Sequence, residues 1–128
     1  GEILLEAGQA SRALRYLQHS QKLAHQIGAT EIELYANKLL GKCHLALKDT
    51  SKALSHLESA LSLSRKINMK LEQSLCHKEI AETYKSLGEY QKALAHFEKF
   101  HHLDKEIFNE QSDRNLKQLQ LLISDKSK

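Results

Sequence analysis

The chain has 128 residues, enough for one domain, with 19 basic and 16 acidic residues giving a formal charge of +3. It has no proline or tryptophan and only five glycines, while alanine, leucine, lysine, glutamate and glutamine are plentiful. This mixture has high intrinsic helix propensity and contains little that forces helices to stop, so an all-α protein is expected. The slight basic excess falls short of a nucleic-acid-binding domain, which gathers Lys and Arg on one face. No apolar window of about 18 residues is present to span a membrane. The two cysteines, Cys43 and Cys76, stand isolated in helical segments and match neither a disulfide framework nor a metal spacing. They read as small buried thiols in a reducing compartment, the cytoplasm. The chain enters a helical pattern directly from Gly1 and reads as a piece of a longer protein.

In chain order, Ile3, Leu4, Leu5 and Ala7 read as the tail of a helix stopped by Gly8 in the left-handed conformation. The next helix starts near Ser11 and carries Ala13, Leu14, Leu17, Leu23, Ala24 and Ile27 on one face, up to Gly28. Thr30-Glu31-Ile32-Glu33 has the form of a capping box, in which Thr30 and Glu33 satisfy each other's backbone N–H. A helix with Leu34, Leu39, Leu40, Cys43, Leu45 and Leu47 follows. Lys48-Asp49-Thr50 then turns the chain, with Asp49 or Thr50 as N-cap. The fourth helix uses Ala53, Leu54, Leu57, Ala60, Leu61 and Leu63 and runs to Ile67. Asn68 is its stop, since asparagine tolerates the left-handed region. The fifth, over about 70–87, points Leu71, Leu75, Ile80, Ala81, Tyr84 and Leu87 inward. Gly88 turns the chain again, and the sixth helix starts near Tyr90 with Ala93, Leu94, Phe97, Phe100, Leu103 and Ile107.

One pattern recurs every forty residues, at 4–17, 44–57 and 84–97, with Ala13, Ala53 and Ala93 in the same place. A fixed period of this size is the mark of a solenoid, whose units bury their apolar faces against their neighbours. Ile27, Ile67 and Ile107 also share a place. The residue after each is Gly28, then Asn68, then Phe108. Phenylalanine does not readily adopt the left-handed conformation, so the last helix is expected to run on. It would carry Leu116, Leu119, Leu122 and Ile123 beyond the repeats. Leu116, Leu119 and Ile123 have the spacing of a coiled-coil seam. These residues either pair with a second copy of the chain or fold back to cap the last unit. The polar residues 124–128 are expected to fray.

The unit built on Ala81, Tyr84, Gly88, Tyr90, Ala93, Leu94 and Phe97 resembles the tetratricopeptide repeat. The middle unit matches at Gly41, Ala53 and Leu57, with His44, Lys48 and Thr50 in place of Tyr, Gly and Tyr. The first matches at Gly8, Ala13 and Leu17. The resemblance covers residues 1–107, in units of about 1–28, 30–68 and 70–107, and leaves 108–128 as a helical extension. It departs from the common family pattern in its forty-residue period and in lacking the proline after the second helix. Such longer units resemble those of regulatory scaffolds and signalling sensors. Residues 101–110, with the charged helix after them, resemble the end of sensor arrays in bacterial signalling proteins. There the last helix continues as a linker to an output domain such as a nucleotide cyclase or kinase.

The resemblance implies a right-handed superhelical solenoid of antiparallel helix pairs that binds partner proteins in a concave groove lined by the first helix of each unit. The family's groove positions fall on Tyr35, Lys38, Lys42 and Leu45, and on Leu75, Lys78, Glu82 and Lys85. Four lysines against one glutamate favour an acidic or carboxylate-ended peptide. The alternative is an ordinary solvated helix face. Leu39 and Glu79 stand where a clamp asparagine of the family would sit, so that clamp is not expected. His101 and His102 are adjacent, about 100° apart on a helix, and do not chelate as a pair. His56 and His96 are repeat equivalents. No metal, cofactor or catalytic constellation is discernible, and the chain is expected to be a binding module and not an enzyme. The second reading is a helical linker and dimerisation segment that passes a signal to an output domain without a ligand of its own.

Overall fold

A computed structural model describes residues 7–126, with side chains from Gly8 to Ser124. Its helices are α1 (Ala7–Ile27), α2 (Thr30–Ala46), α3 (Thr50–Lys66), α4 (Lys70–Ser86) and α5 (Tyr90–Lys126), and no strand occurs among the described residues. Each helix packs chiefly on the helix before it and the helix after it. The expected helix tail at Ile3, Leu4 and Leu5 lies outside the described residues.

The helices stop at regular intervals because the same turn is built each time. Gly28, Lys48, Asn68 and Gly88, each twenty residues after the last, hold φ of 73°, 62°, 56° and 77°. The amide of the following residue reaches back five positions to a helical carbonyl. Ala29 donates to Ala24 at 2.8 Å, Asp49 to His44 at 2.8 Å, Met69 to Ser64 at 2.9 Å and Glu89 to Tyr84 at 3.0 Å. This is the Schellman arrangement, which satisfies carbonyls that a helix end would leave unpaired. The next helix begins one residue later, so α2, α3 and α4 are each 17 residues long.

This turn overrides two local expectations. Thr30 does not form a capping box: Ala29 is the N-cap of α2 and makes no side-chain cap bond. The turn uses Gly28 for the left-handed position and Ala29 for the cap, so Thr30 is already inside the helix. Asp49, at the same place, does cap, accepting a hydrogen bond from the Lys52 amide at 3.3 Å. Gly8 does not stop a helix. It lies within α1 and has no positive φ, carried along by the helix formers Ala7, Gln9 and Ala10 around it.

A hydrophobic cluster lies between α3 and α4, where Leu57, Ala60, Leu61, Cys76 and Ile80 are buried and Leu54 and Tyr84 pack on them. Ala53, Ala81 and Ala93 are buried, whereas Ala13 and Leu17 of α1 are only half-buried. Tyr84 and Phe97 are half-buried, and Tyr90 stands exposed at the start of α5. Leu71 and Leu87, expected inward, are exposed as well. Leu71 lies in the first turn of α4 and Leu87 is its C-cap, so both sit at the ends of the helix. Gly41 marks the closest approach of α2 to α3: a Cβ there would stand 2.9 Å from Leu57 Cγ and 3.4 Å from the Ala53 carbonyl.

At residue 108, twenty beyond Gly88, the turn does not recur. Phe108 continues α5, which runs unbroken to Lys126 through the polar residues expected to fray at 124–126; residues 127 and 128 lie outside the described residues. Lys70, at the start of α4, holds the first turn of this extension through Glu106 and Glu110. From Gln111 to Ser124 every residue is exposed, including Leu116, Leu119 and Ile123. The extension therefore does not fold back as a cap.

Two substitutions test this account by their effect on the urea midpoint at constant slope. Lys48→Gly is expected to stabilise by about 0.5–1 kcal/mol, because it relieves a side chain held in the left-handed region. Gly41→Ala is expected to destabilise by about 1–3 kcal/mol, because Leu57 has to yield to the new methyl group.

Candidate functional site

The groove positions lie on α2 and α4, two helices joined across their exposed faces by charge. Lys38 Nζ stands 2.6 Å from Glu72 Oε1, with the two side chains only 15% and 10% exposed. Burial works against the charge on Lys38, but the Glu72 hydrogen bond and the negative charge beside it leave its pKa above the ordinary lysine value. The ammonium also lies 5.8 Å from the centre of the Tyr35 ring. Lower in the groove, Lys42 stands 4.0 Å from Glu79 Oε1, a loose and largely solvated contact. These pairs alter the electrostatic expectation. Glu72 and Glu79 offset two of the four lysines, so the surface carries mixed charge. A third lysine, Lys78, turns toward α5, with its ammonium 5.7 Å from the Phe100 ring.

Lys42, Leu45, Glu79, Glu82, Thr83 and Ser86 line a cleft of about 340 Å³ between α2 and α4. Thr83 Oγ1 donates to the Glu79 carbonyl at 2.8 Å, and Ser86 Oγ donates to the Thr83 carbonyl at 2.7 Å. The fold thus brings Lys42, Leu45 and Glu82 together in one cleft. Tyr35 and Lys38 lie nearer the start of α2, Leu75 is half-buried, and Lys85 is exposed. Sequence reasoning missed Glu72 as a groove residue. The signal was its register: it occupies the place of Ile32 one unit earlier, and Ile32 is exposed.

The second cluster of polar side chains joins α4 to α5. His77 Nδ1 stands 2.9 Å from His96 Nδ1, and His77 Nε2 stands 3.5 Å from Arg65 Nη2. A guanidinium only donates, so Nε2 of His77 is the acceptor and the ring's proton lies on Nδ1, donated to His96. One unit earlier the same positions hold Asn37 and His56. There His56 Nδ1 donates to Asn37 Oδ1 at 2.9 Å while Asn37 Nδ2 donates to the Glu33 carbonyl at 3.0 Å. The His77–His96 arrangement needs neutral imidazoles, because His77 Nε2 and His96 Nδ1 both accept. Burial, His96, Arg65 and Lys99 push the His77 pKa down to about 4. His96 is lowered by burial and by Lys99 and Arg65 against the opposing pull of Glu58, and His56 by burial and His44.

Both cysteines are buried free thiols, and burial lifts Cys76 to about 12. It therefore stays protonated and unreactive at neutral pH. Among the described residues no three His, Cys, Asp or Glu side chains are placed to hold a metal ion, and no helix is long and apolar enough to cross a membrane. A cleft of about 500 Å³, lined mainly by apolar atoms, runs between α1 and α2 beside Ala13, Leu17 and Cys43. No protein-family model and no curated protein matches the chain.

The histidine pair makes stability depend on pH. The unfolded chain protonates His77 near its ordinary value of about 6.5, whereas the fold holds it at about 4. Between those values the unfolded state binds more protons, so stability is complete above the higher value and is lost as the pH falls toward the lower. The expected loss from His77 is on the order of 3 kcal/mol. His77→Asn, which copies the neutral partner used at Asn37, should flatten the dependence in urea melts taken across that range.

Proposed function

We propose that this chain is a protein-interaction module, a right-handed tetratricopeptide-like superhelix that holds a partner peptide in the groove between α2 and α4. The observation that carries the reading is the exposure of Tyr35 and Leu45 along α2, with Leu45 in the cleft beside Lys42 and Glu82. Apolar side chains left uncovered next to oriented polar groups suit an extended or helical peptide better than a small substrate. The role is binding and not catalysis. Buried free thiols at Cys43 and Cys76 fit a reducing compartment, the cytoplasm. The partner's acidic character rests on Lys85 and on the exposed ammonium of Lys42, since Lys38 is occupied by Glu72. Lys38 is therefore the wrong residue to reverse, because a glutamate there would face Glu72 in a nearly buried site. A Lys42→Glu/Lys85→Glu double variant should instead lower capture of partner proteins about tenfold, with a Lys66→Glu control unchanged. Equal capture by the double variant would remove the groove from the account.

A second reading draws on α5. Its extension keeps Leu116, Leu119 and Ile123 exposed on a continuous helix to Lys126. We propose that it pairs with a second copy and joins the repeats to the output domain of a larger signalling protein. Light scattering should then give twice the monomer mass for the intact chain and the monomer mass for a chain ending at Gln111, which retains the Lys70–Glu110 contact. A monomer in the first measurement rules this reading out.

A further inference from the structure

The cleft between α3 and α5 lies on a different face of α4 from the groove. It encloses about 430 Å³ and is floored by His77, with Arg65, Gln73, Lys99 and His102 around it. The repeat supplies an internal comparison. Forty residues before Arg65 is His25, and forty before Gln73 is Glu33. In that earlier unit His25 Nδ1 meets Glu33 Oε2 at 3.2 Å, so the base on the earlier helix has an acid opposite it. In the later unit the base has become a permanently charged guanidinium and the acid an amide. Gln73 Nε2 donates to the Ser64 carbonyl at 3.4 Å and offers Arg65 no charge.

A second cation has also been added, since Lys99 stands where the earlier unit has Ser59. Among the described residues neither Arg65 nor Lys99 makes an ion pair with a carboxylate. Glu98 is the one carboxylate on the lining. Glu106, close by, is held by Lys70 and by His102 at 3.0 Å. Arg65 on α3 and Lys99 on α5 line the same cleft, and the Arg65 guanidinium stands 3.5 Å from His77 Nε2 at its floor.

We propose that this cleft binds an oxyanion, the phosphate or carboxylate group of a small ligand, between the Arg65 guanidinium and the Lys99 ammonium. The guanidinium presents a planar fork of donors that fits two oxygens of either group, and the ammonium adds a mobile point charge from the opposite helix. The anion takes the place that Glu33 fills in the preceding unit. The site is independent of the α2–α4 groove and stands or falls separately from it.

The test is an NMR titration of the intact chain with inorganic phosphate and, separately, with succinate, at a pH above about 7 where the imidazoles are neutral. Ionic strength is held constant with sodium chloride. Saturable shifts at Arg65 Nε, the Lys99 side chain and the His77 ring are expected. Saturation by phosphate alone assigns a phosphorylated ligand, by succinate alone a carboxylate, and by both a general oxyanion site. Gln73→Glu, which restores the acid of the preceding unit at a position where a glutamate is already accommodated, should weaken binding at least about tenfold. Lys99→Ser should also weaken it. Shifts that stay linear and match those produced by chloride for both anions overturn the proposal. So does undiminished binding by Gln73→Glu.

Discussion

Four residues in the left-handed conformation, spaced evenly along the chain, set the geometry on which everything else depends. Gly28, Lys48, Asn68 and Gly88 end one helix and fix where the next begins. Because the interval never varies, α2 meets α3 and α4 meets α5 in the same register, and Gly41–Leu57 recurs as Ala81–Phe97. The conformation suits glycine, and at two of the four positions another residue is forced into it. Lys48 shows that the tertiary arrangement is strong enough to impose a local cost. The helix pairs on either side bury enough apolar surface to hold a lysine where its own preference would not put it.

The units repeat their geometry and vary their chemistry. The contact between the middle of the first helix of a pair and its partner is Asn37–His56 in one unit and His77–His96 in the next. The hydrogen bond joins the same two positions in both units but runs in opposite directions, from His56 to the Asn37 amide oxygen in one and from His77 to His96 in the other. The consequences differ, because the histidine brings a titratable group into a buried site beside Arg65. A similar exchange turns the His25–Glu33 pair into Arg65–Gln73. Each unit can thus take on its own charge without disturbing the backbone that its neighbours pack against.

Much of the fold was legible in the sequence, for a physical reason: the helices are amphipathic, and the stops recur with the repeat. The long α5 followed from Phe108, a residue that the left-handed turn does not accept. What escaped was contextual. Thr30 and Glu33 satisfy the local pattern of a capping box, but the turn's register places the cap at Ala29. Gly8 carries the turn's residue type without its conformation. Leu71 is apolar and correctly spaced, yet sits exposed in the first turn of α4. The groove was legible only as a set of positions. Its charge was not, since Lys38 and Glu72 lie 34 residues apart and meet only once α2 and α4 are aligned. Arg65 and Lys99 were likewise invisible as a pair, because α4 has to bring α3 and α5 to either side of His77.

The even spacing of the turns also bears on how such a chain can change length. Removing one residue from the middle of α3 would rotate every later side chain on that helix by about 100° and draw it back by about 1.5 Å. Leu57, Ala60 and Leu61 could not all keep their neighbours. A loop that absorbs such an error elsewhere is missing here, because each linker is already at the minimum its hydrogen bonds allow. Insertions and deletions should therefore be poorly tolerated within residues 28–107. Growth or shortening of the array is accommodated most readily in whole helix pairs, which add or remove a complete unit while leaving both of its flanking interfaces in phase.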